Sequence, residues 1–122
     1  MKRYNKSIGD YGENICEEYL RSHGHQILHR NFRCKLGELD IISKIEDLNC
    51  ICFTEVKSRY NTLYGSPSES ITYKKIRIIK NVAQFYIIKN NLKNINFRFD
   101  VAEILFNIER NDYTLNLIKN AF

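Results

Sequence analysis

The sequence lacks any apolar run that approaches the roughly 18 residues needed to cross a membrane. No apolar signal-peptide region follows the basic segment at residues 1–6, so we expect a cytoplasmic protein that does not enter a membrane. There is also no internal repeat and no low-complexity segment. The 122 residues therefore predict a single domain over residues 1–122, with room for one sheet and a few helices.

The sequence contains four cysteines, Cys16, Cys34, Cys50 and Cys52. A cytosolic location argues against disulfides. Cys50 and Cys52 are two apart on a predicted strand, and the spacing of the histidines near Cys34 matches no standard zinc site. We expect buried thiols rather than a structural metal.

Positive charge is in excess, because 19 lysines and arginines against 14 acidic residues give a net charge of +5. Such an excess favours a polyanionic partner, and nucleic acid is the obvious one. A merely basic soluble protein is the alternative, and charge alone does not separate the two.

Apolar periodicity and turn residues predict seven elements. They are a helix capped by Ser7 and running to about Ser22, strands at 26–32, 38–45 and 50–58, a helix at about 71–90, and strands at 97–106 and 113–118. A turn at 33–37 and a loop at 59–70 separate some of them. The order α-β-β-β-α-β-β predicts an α/β fold, a mixed five-stranded sheet flanked by helices, with the third and fourth strands parallel.

Three charged residues interrupt strands that otherwise appear buried. Asp40 lies within an apolar run, and Glu55 and Lys57 directly follow another. If the two strands pair across the loop at 46–49, Asp40 lies opposite Glu55, and Glu38 lies opposite Lys57 on the same face. A bulge would shift this register. Because burying charge is costly without a compensating partner, the residues are candidates for function.

Two facing carboxylates repel each other unless a cation lies between them, and Mg²⁺ or Mn²⁺ prefers such oxygen ligands. Asp40 and Glu55 would bind the ion together with the backbone carbonyl of Val56. A water activated by the metal can attack a phosphodiester, while Lys57 positions it and stabilises negative charge. Glu13, at the flank of the first helix's apolar stripe, is a further candidate catalytic residue that would hold a metal-bound water or a second ion. The alternative is a surface ladder of salt bridges on an edge hairpin.

An Asp followed by Glu-x-Lys on the next strand resembles the PD-(D/E)xK nuclease superfamily. Across the whole chain the sequence also resembles the bacterial YraN family. That resemblance is carried by Gly12-Glu13, Asn31-Phe32-Arg33, the segments 37–42 and 53–59, Lys75, the segment 98–101 and the terminal Asn120-Ala121-Phe122. It implies a restriction-endonuclease-like core related to archaeal Holliday-junction resolvases. The proline that names the superfamily is absent, which leaves the metal ligands in place.

Our leading hypothesis is a Mg²⁺-dependent endonuclease that hydrolyses DNA phosphodiester bonds. The resemblance to resolvases implies branched or single-stranded substrates and leaves open a homodimer. One alternative is a non-catalytic nucleic-acid-binding protein that assists recombination or DNA uptake. An RNA-directed nuclease is a further alternative, because nothing in the sequence distinguishes a 2′-hydroxyl.

Three basic residues are candidate contacts to nucleic acid: Arg33, Arg59 and Lys75. Tyr60 and Tyr64, in the loop at 59–70, would stack on bases. The alternative is a solvated connector. Lys75 falls inside the apolar stripe of the second helix and either points to the site or extends its head to solvent.

Two further groups of charges have simpler interpretations. Lys2, Arg3 and Lys6 form a basic arm that would attract phosphates or belong to an ordinary tail. Arg98 and Asp100 alternate with apolar residues on the fourth strand, and we expect them to pair with each other.

Overall fold

The computed structural model describes residues 2–60, 71–107 and 109–122, with side chains from residue 9 onward. The elements are α1 (Lys2–Ser22), β1 (His25–Cys34), β2 (Gly37–Ile45), β3 (Cys50–Tyr60), α2 (Tyr73–Lys89), β4 (Asn96–Asn107) and β5 (Asp112–Ile118). This order and the α/β class confirm the predicted fold.

The strands form one mixed sheet in the order β1-β2-β3-β4-β5. The β3–β4 pair is parallel and the other neighbours are antiparallel, so α2 is the crossover between parallel strands, as predicted. The β2–β3 register follows the prediction from Ile45 opposite Cys50 to Ile41 opposite Thr54, and the ladder ends there, short of the predicted Asp40–Glu55 and Glu38–Lys57 pairs.

Each helix covers one face of the sheet, because successive strand residues point to opposite sides. On one face α1 packs against a core that contains Ile41, Ala102 and Ile104. On the other face α2 packs on Ile42 and Phe53. The outcome is a three-layer arrangement in which β2 and β3 are covered on both sides.

The helix starts differ from the predicted ones. The first helix begins at Lys2, so Ser7 lies inside α1 and the predicted cap at Ser7 is wrong. Thr72 caps α2, and its side chain accepts a 3.1 Å hydrogen bond from the backbone N–H of Lys75. Thr72 satisfies one of the free N–H groups of the first turn, which is why α2 begins after it.

Two predicted connections are shorter than expected. β1 continues through Cys34, so Arg33 lies on a strand and not in a turn. β3 continues through Tyr60, so Arg59 and Tyr60 are strand residues and not loop residues. Both extensions are paired across the sheet, and that pairing outweighs their polar composition. Tyr64 lies outside the described residues, as do the side chains of the basic arm at residues 2–6.

The remaining structural expectations hold where they are tested. All four cysteines are free thiols. Arg98 donates to both oxygens of Asp100 at 2.9–3.1 Å, which confirms the predicted pair. No helix within the described ranges is long and apolar enough to span a membrane.

Candidate metal centre

Asp40 lies where the regular alternation of β2 is interrupted. Leu39 and Ile42 pack in the core under α2, whereas Ile41 packs in the core under α1. In a regular strand Leu39 and Ile41 would share a face. Oδ2 of Asp40 accepts a 2.8 Å hydrogen bond from the backbone N–H of Val56 on β3. The carboxylate therefore lies in the seam between the two strands, held by the backbone of β3.

β1 is distorted at the same level, at Asn31. This residue has a φ of 53°, and the flanking pairs place it opposite Asp40. The left-handed region is uncommon for residues other than glycine, although asparagine tolerates it best. Such outliers cluster at functional sites, where the surrounding structure maintains them.

Glu55 is the second carboxylate, and Lys75 reaches it from α2. Glu55 is 8% exposed, and its Oε2 lies 3.3 Å from Nζ of Lys75. Lys75 lies in the first turn of α2, where the Thr72 cap fixes the start of the helix. Of the two alternatives for Lys75, the structure has its ammonium directed to Glu55, where it partly offsets the charge of that carboxylate, and a contact of Lys75 with nucleic acid stays a prediction.

The pKa of Asp40 reflects the close approach of two carboxyl groups in a buried position. Burial, followed by a hydrogen bond with the Glu55 side chain and the charge of that residue, raises the pKa of Asp40 to about 7. The Val56 N–H and the charge of Lys75 act in the opposite direction. Because its pKa is raised to about 7, Asp40 is protonated below neutral pH. The proton then reduces the repulsion between the two carboxyl groups that a cation would otherwise relieve.

Glu13 approaches the pair from α1 and is held by Arg30. Nη2 of Arg30 lies 3.2 Å from Oε1 of Glu13. Burial raises the pKa of Glu13, while hydrogen bonds from Arg30 and Asn31 oppose that rise and the charge of Asp40 adds to it. The influence of Asp40 indicates that Glu13 belongs to the same electrostatic centre.

The close approach of α1 depends on Gly12. A Cβ atom at Gly12 would overlap Oγ of Ser58 on β3 and lie 3.0 Å from its Cβ. Only a residue without a side chain lets the helix come this near, and Glu13 follows directly.

The other predicted site residues lie further out. Lys57 and Arg59 line a cavity of about 190 Å³ next to Glu103 on β4. Arg33 is 75% exposed, and its Nε lies 3.4 Å from Oε2 of Glu38, its partner across the β1–β2 ladder. The structure therefore places Asp40 next to Glu55, has Glu13 within electrostatic reach of Asp40, and leaves Arg33 at the surface.

The donor set suits a hard cation that keeps part of its water shell. Among the described residues no group of three or more His, Cys, Asp or Glu side chains is placed to hold a metal ion. Mg²⁺ is ordinarily held by one or two carboxylates, with waters and substrate oxygens completing its octahedron. Asp40 and Glu55 supply such a pair, and the Lys75 ammonium lies where it partly offsets the charge of Glu55.

Comparison with known proteins places the chain in a family. The model of the family described as "Uncharacterised protein family UPF0102" matches residues 12–104. The chain belongs to the UPF0102 family. It is 55% identical over 122 residues to a UPF0102 protein of Clostridium novyi strain NT, with both chains fully covered. UPF0102 proteins of Clostridium tetani and of Clostridium botulinum strain Hall are 52% and 54% identical, with 100% of this chain and 98% of each relative covered. The YraN resemblance is thereby confirmed.

In this UPF0102 chain, sequence reasoning missed Arg30. Its guanidinium also donates to Asn14 at 2.7 Å and to Glu17 at 3.4 Å, so it links β1 to three residues of α1. The available signal was the i, i+4 spacing of Glu13 and Glu17, which places two acids on one side of the helix and requires a cation from another element.

Proposed function

We propose that this protein is a Mg²⁺- or Mn²⁺-dependent endonuclease that hydrolyses DNA phosphodiester bonds, with branched or single-stranded DNA as the substrate. The observation that carries the proposal is the buried meeting of Asp40 and Glu55. Two carboxyl groups held together at this depth destabilise the fold without a cation, so their retention is best explained by an ion that they bind. The PD-(D/E)xK resemblance supports the same chemistry.

Each residue has a distinct role in this proposal. Asp40 and Glu55 hold the ion, which would supply the Lewis acid that polarises the phosphodiester. Lys57 lies two residues after Glu55 on β3, and in this proposal it stabilises negative charge on the phosphate under attack. Glu13 extends the carboxylate set toward α1. Lys75 balances the charge of Glu55 when no metal is bound.

The decisive experiment compares the wild type with Asp40→Asn and Lys57→Ala on labelled linear, single-stranded and four-way-junction DNA. Reactions contain Mg²⁺, Mn²⁺ or EDTA. We expect cleavage by the wild type only with a metal, and a loss of at least about a hundredfold in each variant, the size typical of a lost charge-stabilising or proton-transferring group. A junction substrate cut faster than linear duplex supports the branched preference.

Asp47→Asn provides the matched control, because this substitution makes the same chemical change at an exposed position of the β2–β3 turn. It should cleave like the wild type. Cleavage that survives unchanged in Asp40→Asn would refute the assigned centre. Metal-independent binding without cleavage in any metal would instead favour a non-catalytic accessory role.

A further inference from the structure

The face of the sheet that α2 packs against is only partly covered by that helix. Phe53 on β3 lies in the core beneath α2. On the same face the side chains become more exposed toward β5, where Thr114 and Asn116 are exposed. Between these strands lies the cavity of about 190 Å³. A shallow groove over β3, β4 and β5 therefore begins at Lys57, two residues along β3 from Glu55.

The sheet register aligns the side chains that line this groove. Lys57 lies opposite Glu103, and Glu103 lies opposite Asn116. In the next row Arg59 lies opposite Leu105, which lies opposite Thr114. Directly paired residues point to the same face, so each row presents one cation from β3 and one neutral polar group from β5.

The size and charge of the groove limit what it can bind. Its volume corresponds to about six waters and lies below the range of about 300–1,000 Å³ of pockets for drug-sized ligands. It suits a single phosphate with part of its sugar. Two cations face one acid in the lining, which favours an anion.

The spacing along β3 relates the groove to the metal centre. Alternate residues of a strand are about 6.6 Å apart, so Glu55, Lys57 and Arg59 form a straight row at that interval. Successive phosphates of an extended nucleic-acid strand are separated by a similar distance. A strand whose scissile phosphate lies at Glu55 and Lys57 would place the next phosphate at Arg59.

We propose that the groove formed by Lys57, Arg59, Thr114 and Asn116 is a binding subsite for the phosphate adjacent to the cleaved bond, on an extended single strand of DNA. This inference rests on the proposed function, because the position of the cleaved bond determines which phosphate of the DNA strand lies in the groove. Arg59 contacts the phosphate, while Thr114 and Asn116 on the edge strand donate hydrogen bonds to it or to its sugar.

Binding is measured by fluorescence anisotropy with a labelled single-stranded oligonucleotide in EDTA, which separates affinity from cleavage. We expect Asn116→Asp to weaken binding at least about fivefold, since a like charge within a few ångströms of a phosphate costs on that scale. Asn116→Lys should strengthen it. Asn81→Asp and Asn81→Lys, at an exposed position of α2, make the same changes away from the groove and should have little effect.

The salt dependence gives a second measurement. Arg59→Gln should reduce the slope of log affinity against log salt by about 0.7, the value for one phosphate contact on a single strand. Arg21→Gln, on α1 at the opposite face, should leave the slope unchanged. Affinities that are equal for the Asn116 and Asn81 variants, or equal slopes for the two arginine variants, overturn the subsite.

The two proposals fail separately. If no metal supports cleavage, the nuclease is refuted, but weaker binding by Asn116→Asp still supports a strand-binding groove. If cleavage depends on Asp40 while the groove variants bind like their controls, the nuclease stands and the subsite is overturned.

Discussion

Oδ2 of Asp40 accepts a 2.8 Å hydrogen bond from the backbone N–H of Val56, so the strand that carries Glu55 also fixes the opposing carboxylate. This bond holds the two acids together, and burial next to Glu55 raises the pKa of Asp40 to about 7. The arrangement opposes stability in the metal-free protein and favours a bound cation. The consequences can be measured without any nuclease assay.

Asp40→Asn should stabilise the metal-free protein at neutral and alkaline pH. The unfolded Asp40 loses its proton near pH 3.8, whereas the folded one keeps it to about 7. The folded state therefore binds more protons between these values, and its stability falls as pH rises through them. Asparagine removes that penalty and its Oδ1 can still accept from Val56. We expect a gain of about 1 kcal/mol at pH 8, or about 3–5 °C in Tm, measured by thermal melts in EDTA.

The stabilisation should disappear below about pH 3, where Asp40 is protonated in both states, and should be constant above about pH 8, where it is ionised in both. Asp47→Asn, in the exposed turn, should show no such pH-dependent difference. If the difference in Tm between Asp40→Asn and the wild type does not change with pH, the raised pKa of Asp40 is contradicted.

Lys75→Gln tests whether the ammonium substitutes for a metal. Removing a cation 3.3 Å from the buried Glu55 should raise the pKa of Asp40 further and lower stability in EDTA by about 1 kcal/mol. Added Mg²⁺ should then raise Tm more in Lys75→Gln than in the wild type, because the ion no longer competes with the ammonium for Glu55. Lys74→Gln, at the exposed neighbouring position, should respond to Mg²⁺ like the wild type.

The part of the fold set by apolar alternation was predictable from the sequence. The β2–β3 register followed from Ile42 and Phe53 sharing a face with Ile51, and the structure has those residues in one core. Regular pairing of this kind depends only on the period of the strand, so local sequence suffices to define it.

The interruption at Asp40 was not predictable in the same way. Extrapolating the register treats Leu39 and Ile41 as neighbours on one face, whereas the structure puts them in different cores. The cause lies in another strand, where Asn31 adopts a φ of 53°. A distortion imposed by tertiary contacts leaves no periodic signal in the strand that carries it.

Glu13 and Arg30 should show strong thermodynamic coupling. Arg30 lowers the pKa of Glu13 against the effect of burial, so losing either partner leaves the other poorly compensated. We expect a double-mutant cycle of Glu13→Gln and Arg30→Gln in urea unfolding to give a coupling of about 1–3 kcal/mol. The bonds of Arg30 to other α1 residues cancel in the cycle. A parallel cycle with the exposed Glu18→Gln should give a coupling near zero, and equal values in the two cycles would show that the Arg30–Glu13 pair adds nothing specific.

Gly12→Ala should destabilise the protein and impair the site together. Its Cβ would overlap Oγ of Ser58, so α1 has to move away from β3 and carry Glu13 with it. Overpacking of this kind costs about 1–3 kcal/mol. Gly9→Ala is the matched control, because a Cβ there meets nothing within 4 Å, and the helix should gain about 0.5–1 kcal/mol.

Ser58→Ala separates the steric cause from a general effect of alanine in the helix. Oγ of Ser58 is buried and has no hydrogen-bond partner among the residues that the structure describes, so removing it should cost little by itself. In the Gly12→Ala background it removes the closest obstacle and leaves the Cβ of residue 58 at 3.0 Å from the new methyl group and Cδ1 of Ile104 at 3.6 Å. The double variant should therefore recover at least half of the lost stability in urea unfolding. Recovery of metal-dependent cleavage in parallel would link the position of α1 to the centre, whereas additive losses in the double variant would contradict the proposed contact.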